Sequence, residues 1–276
     1  MSSPANEFEY LRELVKSSAA IAIDAQREYL MEARLSPVAQ REGFASVSAL
    51  IARLRSQREG DLHWKVVEAM TTNETSFFRD VKPFDALRKV VFPQLIQARQ
   101  SDRKLNIWCG ASSSGQEPYS MAILLREHFP ALLGWDVRIL ASDISNEMLE
   151  KAKSGVYTQL EVNRGLPASL LIKYFKRHGT EWRLDENTRR MIEFRRINLA
   201  DAWPYLGAVD LIMLRNVMIY FPVETKKRIL KGIREILRPD GFLLLGTAET
   251  TISLDANYKN EIYENVSYYR PAVQVV

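Results

Sequence analysis

The chain has 276 residues, 46% of them hydrophobic, with 38 Lys and Arg against 34 Asp and Glu for a formal charge of +4. That suits one large globular domain, or a main domain with a smaller companion, and no apolar run approaches the ~20 residues of a membrane span. The single cysteine, Cys109, excludes an intramolecular disulfide and fits a reducing compartment. The polar, acidic stretch 1–9 is unlike a cleavable secretion signal, so the expected location is the cytoplasm. The mild positive charge admits nucleic acid, an acidic protein surface or a plainly solvated exterior.

The first 70 residues read as short helices. Residues 7–16 place Phe8, Leu11 and Leu14 or Val15 at helical spacing. A second helix opens near Asp24, a capping carboxylate, with Tyr29, Leu30 and Ala33 on its apolar face, until Ser36-Pro37 interrupts or restarts it. Residues 46–55 carry Val47, Leu50, Ile51 and Leu54, and a fourth helix runs over about 62–70. Beyond the polar stretch 71–80, strands alternate with helices: LNIWC (105–109), a helix over 118–128, VRILA (137–141) and a helix over 146–154. DLIML (210–214), an amphipathic helix with a basic outer face (223–237), the turn Arg238-Pro239-Asp240-Gly241 and FLLL (242–245) follow. Short apolar strands alternating with helices predict a mostly parallel sheet covered on both faces, which binds ligands beyond the carboxyl ends of its strands. Residues 182–184 and 191–194, flanking Asp185-Glu186-Asn187, read as a small inserted hairpin.

The chemistry-bearing residues lie at strand ends. Gly110-Ala111-Ser112-Ser113-Ser114-Gly115-Gln116-Glu117-Pro118 joins the first strand to its helix; it lacks Gly-Lys-Ser/Thr and is no G-x-G-x-x-G fingerprint, so it is either a ligand turn or only a tight connection. Asp143, ending the second strand, suits ribose hydroxyls or a helix cap, or both. The missing phosphate-cradling lysine favours a nucleoside without a triphosphate. Arg215-Asn216 emerges at the carboxyl end of DLIML, where half-buried polar groups need partners. Thr71 to Asp80, read alone, is a capped helix start with Asn73 or Thr72 as N-cap. His63, His128 and His178 are scattered, which predicts no metal site, and nothing arranges a Ser or Cys nucleophile beside a histidine.

Four segments in order, TTNETSFFRD (71–80), WCGASSSGQEPYSMA (108–122), ILASDIS (139–145) and LRNVMIYF (214–221), resemble the chemotaxis receptor methyltransferases, the CheR family, over nearly the whole chain. The resemblance implies an α/β fold: a Rossmann-like S-adenosylmethionine-dependent methyltransferase sheet with a final antiparallel strand, a small all-helical N-terminal domain and a small antiparallel β insertion. It implies a recognition domain over 1–70, a connector over 71–90 and a methyltransferase domain over 91–276 with its hairpin at about 176–195. Cofactor contacts carry over to Asn73, Thr75, Arg79, Glu117, Asp143, Asn198, Leu199, Arg215 and Asn216. Glu117 and Asp143 suit the methionine ammonium and ribose hydroxyls, and Asn198-Leu199 suits the adenine. Arg79 and Tyr220 are the implied catalytic residues, orienting the incoming carboxylate beside the methyl group.

The implied reaction transfers a methyl group from S-adenosyl-L-methionine to receptor glutamates, leaving S-adenosyl-L-homocysteine and a methyl ester, with no metal. A glutamate of pKa ~4.3 is ionised at neutral pH, so no general base is needed and positioning dominates. The implied partner is the cytoplasmic helical region of methyl-accepting chemotaxis receptors, met by Arg27, Arg34 and Arg41 on one helix face, with a regulatory adaptor protein as a further candidate partner. Membrane insertion and nucleic-acid binding are not implied. Two departures stand out: Gln116 replaces a second acidic residue, and Gly246-Thr247-Ala248-Glu249 replaces the more usual Gly-His-Ser-Glu. The hairpin is short, which suggests receptor binding independent of a C-terminal pentapeptide. Two rival readings are a non-catalytic adaptor that binds cofactor or product, and a nucleic-acid methyltransferase. Against the latter, the strand end reads Arg215-Asn216-Val217-Met218 rather than Asn/Asp-Pro-Pro-aromatic.

Overall fold

The computed structural model describes residues 4–24, 28–58 and 60–272. They form two compact units, one running to Thr72 and including Tyr220–Thr225, the other made of Asn73–Ile219 and the chain from Lys226 onward.

Within the described residues the first unit is helical: α1 (Pro4–Ala19), α2 (Glu28–Arg41), α3 (Val47–Ser56) and α4 (Asp61–Met70). Its core gathers Leu11, Leu14 and Val15 with Met31, Leu35, Leu50, Ile51, Leu54, Val66 and Val67, all buried. The Ser46 hydroxyl caps α3 by accepting the Ala49 N–H at 3.1 Å. His63 is a satisfied core residue: Nδ1 accepts the Gly60 N–H at 3.3 Å and Nε2 lies 3.2 Å from the Leu54 carbonyl, which selects the Nε2–H tautomer. The Ala22 N–H donates to the Tyr220 carbonyl at 3.3 Å, tying the returning segment to this unit.

Helix α2 corrects two expectations. It runs unbroken through Pro37, because Met31 and Leu35 before the proline and Val38 and Ala39 after it are buried on one face. That packing offsets the single lost backbone bond. The face is rotated from the one expected: Tyr29 is exposed, and Ala33 points outward too. Arg34 donates to the Met70 carbonyl at 2.7 Å, the Thr71 carbonyl at 3.0 Å and Thr72 Oγ1 at 3.2 Å, so it fastens α2 to the end of α4. Arg41 closes α2, and Arg27 lies outside the described residues.

The second unit opens with the connector from Asn73 and a helical run unforeseen in the sequence: α5 (Lys82–Ala86), a π-helical turn over Leu87–Val91 and α6 (Phe92–Ala98). It buries Phe84, Leu87, Val91, Phe92 and Leu95. The sheet strands are β1 (Lys104–Gly110), β2 (Asp136–Asp143), β6 (Ile192–Arg196), β7 (Val209–Leu214), β8 (Leu237–Leu245), β9 (Tyr258–Tyr263) and β10 (Val266–Pro271), in the order β6-β2-β1-β7-β8-β10-β9. The first five are parallel, and β10 returns antiparallel between β8 and β9. A second sheet, β3 (Val156–Tyr157), β5 (Glu181–Leu184) and β4 (Phe175–His178), is antiparallel. The remaining helices are α7 (Gln116–His128), α8 (Asn146–Ser154), α9 (Gln159–Asn163), α10 (Ala168–Tyr174), α11 (Glu186–Arg189) and α12 (Val223–Ile236). Strand β7 is buried along its whole length, which explains the apolar run Leu211–Leu214; Asp210 is its one charged residue.

The inserted sheet also differs from expectation. Residues 182–184 pair not with 191–194 but with β4 across the turn at Gly179-Thr180, while β6 joins the large sheet parallel to β2. Asp185 is an N-cap: its carboxylate accepts the Thr188 N–H at 3.2 Å and pairs with Arg126 at 3.0 Å, so the polar triplet starts α11 instead of turning a hairpin. The tetrapeptide 238–241 bulges from β8, whose register jumps from Val209↔Leu237 to Leu211↔Phe242.

Asp210, beside that bulge, is buried and accepts from Arg99 Nε at 2.6 Å and from the Asn106 N–H at 2.8 Å. Arg99 also pairs with Asp240. Asp210→Ala leaves the Asn106 N–H and Arg99 Nε without their acceptor while Asp240 still holds the guanidinium, so the unfolding free energy should fall by about 1–3 kcal/mol, readable from urea denaturation.

Candidate active site

Strand β1 ends at Gly110, and the chain turns into α7 with Ala111, Ser113 and Gly115 at φ of 54°, 49° and 90°. The Ser112 N–H donates to the Ser142 carbonyl at 2.8 Å and the Ser113 N–H to Asp143 Oδ2 at 2.8 Å. Asp143 Oδ1 accepts the Ser145 N–H at 2.9 Å, and Ser145 itself caps α8 through the Met148 N–H at 3.3 Å. Asp143 is therefore not the helix cap: it joins the Gly/Ser turn to the residue that is.

The connector docks onto this turn. Ser113 Oγ donates to the Asn73 carbonyl at 2.9 Å. The Phe78 N–H donates to Ser120 Oγ at 2.8 Å, and Ser120 Oγ donates in turn to the Gln116 carbonyl at 2.7 Å. Phe77 is buried edge-on against Tyr157 and Phe175, with centroids at 5.1 and 5.6 Å. A Cβ at Gly165, where φ is +85°, would fall 2.0 Å from the Phe77 carbonyl oxygen, so only glycine lets the two backbones meet. Phe78, Asp80 and Val81 have φ of 47°, 68° and 47°. For non-glycine residues this is strained backbone, at about 1–3 kcal/mol each, and it is held in place by these bonds. The capped-helix reading of this stretch fails: the next helix begins at Lys82, with Val81 as its N-cap.

Arg215, just past β7, closes the arrangement. Its side chain is 1% exposed; Nη2 lies 2.6 Å from Asp80 Oδ2 and 3.1 Å from the Arg79 carbonyl, and Nη1 lies 2.8 Å from Glu117 Oε2. Burial pushes the Glu117 carboxyl up from its ordinary value, and the Arg215 guanidinium beside it opposes that rise. Arg79 Nη1 donates to the Glu74 carbonyl at 2.8 Å, and the Glu74 carboxylate pairs with Arg164 at 2.7 Å, which lowers its pKa.

Two hydrogen-bonded clusters, one of the Asn73 carbonyl, Ser113 and Asp143 and one of Arg215, Glu117, Asp80 and the Arg79 carbonyl, are joined by the connector, which carries half-buried Thr75. Asn216 follows at φ 58°. Asn198 follows β6; it donates to Asp201 at 2.9 Å and accepts the Ala200 N–H at 3.0 Å, while Leu199 is buried. Tyr220 belongs to the first compact unit. Sequence reasoning missed Asp80, Ser113 and Ser120 as members. The signal for Asp80 was an acidic motif end needing a cation, but its partner lies 135 residues away.

Ser112 Oγ and Arg215 Nε are buried without a hydrogen-bond partner among the described residues. An orphaned hydroxyl, the buried Asp143 carboxylate at the end of β2 and the half-buried Glu117 carboxylate in the first turn of α7 fit a nucleoside bearing hydroxyls and an ammonium group. This edge, on a sheet of this order, defines a Rossmann-like S-adenosylmethionine-dependent methyltransferase. Residues 73–266 match the family model described as CheR methyltransferase, SAM binding domain, and residues 6–71 match CheR methyltransferase, all-alpha domain. The chain belongs to the CheR methyltransferase family. It is 40% identical over 263 residues to Chemotaxis protein methyltransferase 1 of Pseudomonas aeruginosa, covering 94% of this chain and 95% of that protein. It is 37% identical to Chemotaxis protein methyltransferase Cher2 of Pseudomonas putida over the same shares. With the Chemotaxis protein methyltransferase of Vibrio parahaemolyticus it shares 37% identity over 92% of both.

Arg215→Lys keeps the charge but cannot span Asp80, Glu117 and the Arg79 carbonyl together. Limited trypsin digestion at Arg79 should accelerate by ~10-fold or more, the factor carried by ~1.4 kcal/mol.

Proposed function

We propose that this protein transfers a methyl group from S-adenosylmethionine to glutamate side-chain carboxylates in the helical cytoplasmic region of methyl-accepting chemotaxis receptors, and that it works in the cytoplasm. The observation that carries the reading is the docking of the Asn73–Arg79 connector onto both Ser113 and Arg215. Family membership and the names of the relatives support it. No helix among the described residues is long and apolar enough to cross a membrane.

When bound, S-adenosylmethionine supplies an electrophilic methyl group on a sulfonium. Glu117 would hold the ammonium and Asp143 the ribose hydroxyls, with Asn73, Thr75, Asn198, Leu199, Arg215 and Asn216 as further contacts. Arg79 and Tyr220 would orient the incoming carboxylate. That carboxylate is ionised at neutral pH, so no residue of this chain has to remove a proton. The chain's contribution is orientation and exclusion of water, and orientation is worth up to about 7–11 kcal/mol when the geometry is right. Arg79 must steer the carboxylate without stabilising its ground state more than the transition state. The Glu74 carbonyl helps by fixing the Arg79 side chain. For receptor docking, Arg27, Arg34 and Arg41 are the proposed contacts, with Arg34 also serving its own unit.

Incubation with methyl-labelled cofactor and receptor cytoplasmic fragments should give base-labile methyl incorporation. Cofactor binding without transfer would support the adaptor reading instead, and salt-sensitive methylation of RNA would support a nucleic-acid enzyme. Arg79→Ala should abolish transfer, and normal turnover by that variant would remove Arg79 from the mechanism. Binding of S-adenosylhomocysteine should tighten as pH rises through the elevated Glu117 pKa, by up to ~10-fold per pH unit, above the usual Glu value of about 4.3. The sign follows because only the ionised carboxylate attracts an ammonium. Calorimetry on Glu117→Gln should show that dependence flattened.

A further inference from the structure

The Glu249 carboxylate lies beyond the carboxyl end of β8 and gathers five backbone N–H groups. Oε2 accepts from Asn216 at 2.8 Å and from Gly246 at 2.6 Å, while Oε1 accepts from Val217 at 2.9 Å, Met218 at 2.7 Å and Ile219 at 3.3 Å. Four of the five donors are consecutive residues of the loop that follows Arg215. Consecutive N–H groups converging on one point form an anion-binding concavity, and here the anion is a side chain from the neighbouring strand end. Gly246 completes the clasp: a Cβ there would stand 2.8 Å from the Asn216 nitrogen and 2.6 Å from Glu249 Oε2. The left-handed Asn216 turns the chain at the point where the first of these bonds is made.

We propose that Glu249 is a positioning residue, holding the loop after β7 so that Arg215 and Asn216 are presented to the cofactor edge. The assignment rests on the functional reading above only for what the loop presents; the clasp itself is independent of substrate. Its logic follows from acceptor count. A carboxylate offers acceptors on both oxygens, whereas a glutamine turns an NH₂ donor toward either the Asn216–Gly246 pair or the Val217–Ile219 trio. Charge-assisted bonds are also about twice as strong as neutral ones. A general stabilising role would affect the whole sheet, whereas a positioning role acts on residues 216–219.

The test is hydrogen–deuterium exchange on the full chain, comparing Glu249→Gln and Gly246→Ala with the unmodified protein, with the β1 amides of Ile107 and Cys109 as an internal reference. Exchange at Asn216–Ile219 should rise by ~10-fold or more in both variants while the β1 amides stay within about twofold. S-adenosylhomocysteine affinity, measured by calorimetry, should fall by a similar factor, and KM for the methyl donor should rise more than kcat falls. Equal acceleration at β1 and at the loop, in both variants, would make Glu249 a residue of general stability and overturn the proposal. Unchanged loop exchange in Glu249→Gln would overturn it as well. If the unmodified protein binds no S-adenosylhomocysteine, the functional reading fails, and the exchange comparison still decides whether Glu249 holds the loop.

Discussion

The second unit depends on one buried guanidinium. Arg215 sits at the end of the most deeply buried strand and reaches Asp80, Glu117 and the Arg79 carbonyl together. Three chain segments far apart in sequence therefore share one charge. A buried cation requires compensation, and a planar fork with five donors can supply three contacts that an ammonium cannot. The strained backbone at Phe78, Asp80 and Val81 persists because these bonds, with the Phe78–Ser120 bond, leave the connector no relaxed alternative of equal energy.

From this knot the site is assembled in layers. The Gly/Ser turn is shaped by its own left-handed residues and pinned by Asp143, and the connector lies across it through Ser113. Glu249 performs for the loop after β7 what Asp143 performs for the loop after β1. In both cases a carboxylate from the adjacent strand end accepts backbone N–H groups. Neighbouring strands of a parallel sheet end side by side, so their loops are natural partners for such ties.

Much of this was legible in the sequence because it rests on local rules. The helix expected over 146–154 forms as Asn146–Ser154, and the apolar run 211–214 marked the fully buried β7. The failures came where distant packing overruled local signals. Pro37 looked like a helix break, yet buried side chains on both sides of it keep α2 continuous. Asp185-Glu186-Asn187 has the composition of a turn, but Arg126 and Thr188 make it a helix start, and β6 then pairs with β2. The helical run over residues 82–98 was missed: it carries Pro83 and Pro93, each of which proves to sit in the first turn of a helix. At the site, single residue types pointed to Arg215, Asp143 and Glu117, but their mutual bonds could not be read from spacing. Asp80 and Arg215 are neighbours only after the sheet has formed.

The two electrostatic anchors of the connector differ in their exposure to solvent. Arg215, which holds the Arg79 carbonyl and Asp80, is shielded at 1% exposure, whereas the outer pair of Glu74 and Arg164 leaves more than half of each side chain in water. Mobile ions screen exposed charges over about 8 Å at physiological ionic strength and scarcely reach shielded ones. Rising salt therefore loosens the outer rim, including the carbonyl that steadies Arg79, while leaving the inner knot intact. The same polypeptide segment is in this way rigid at one end and responsive to its ionic medium at the other.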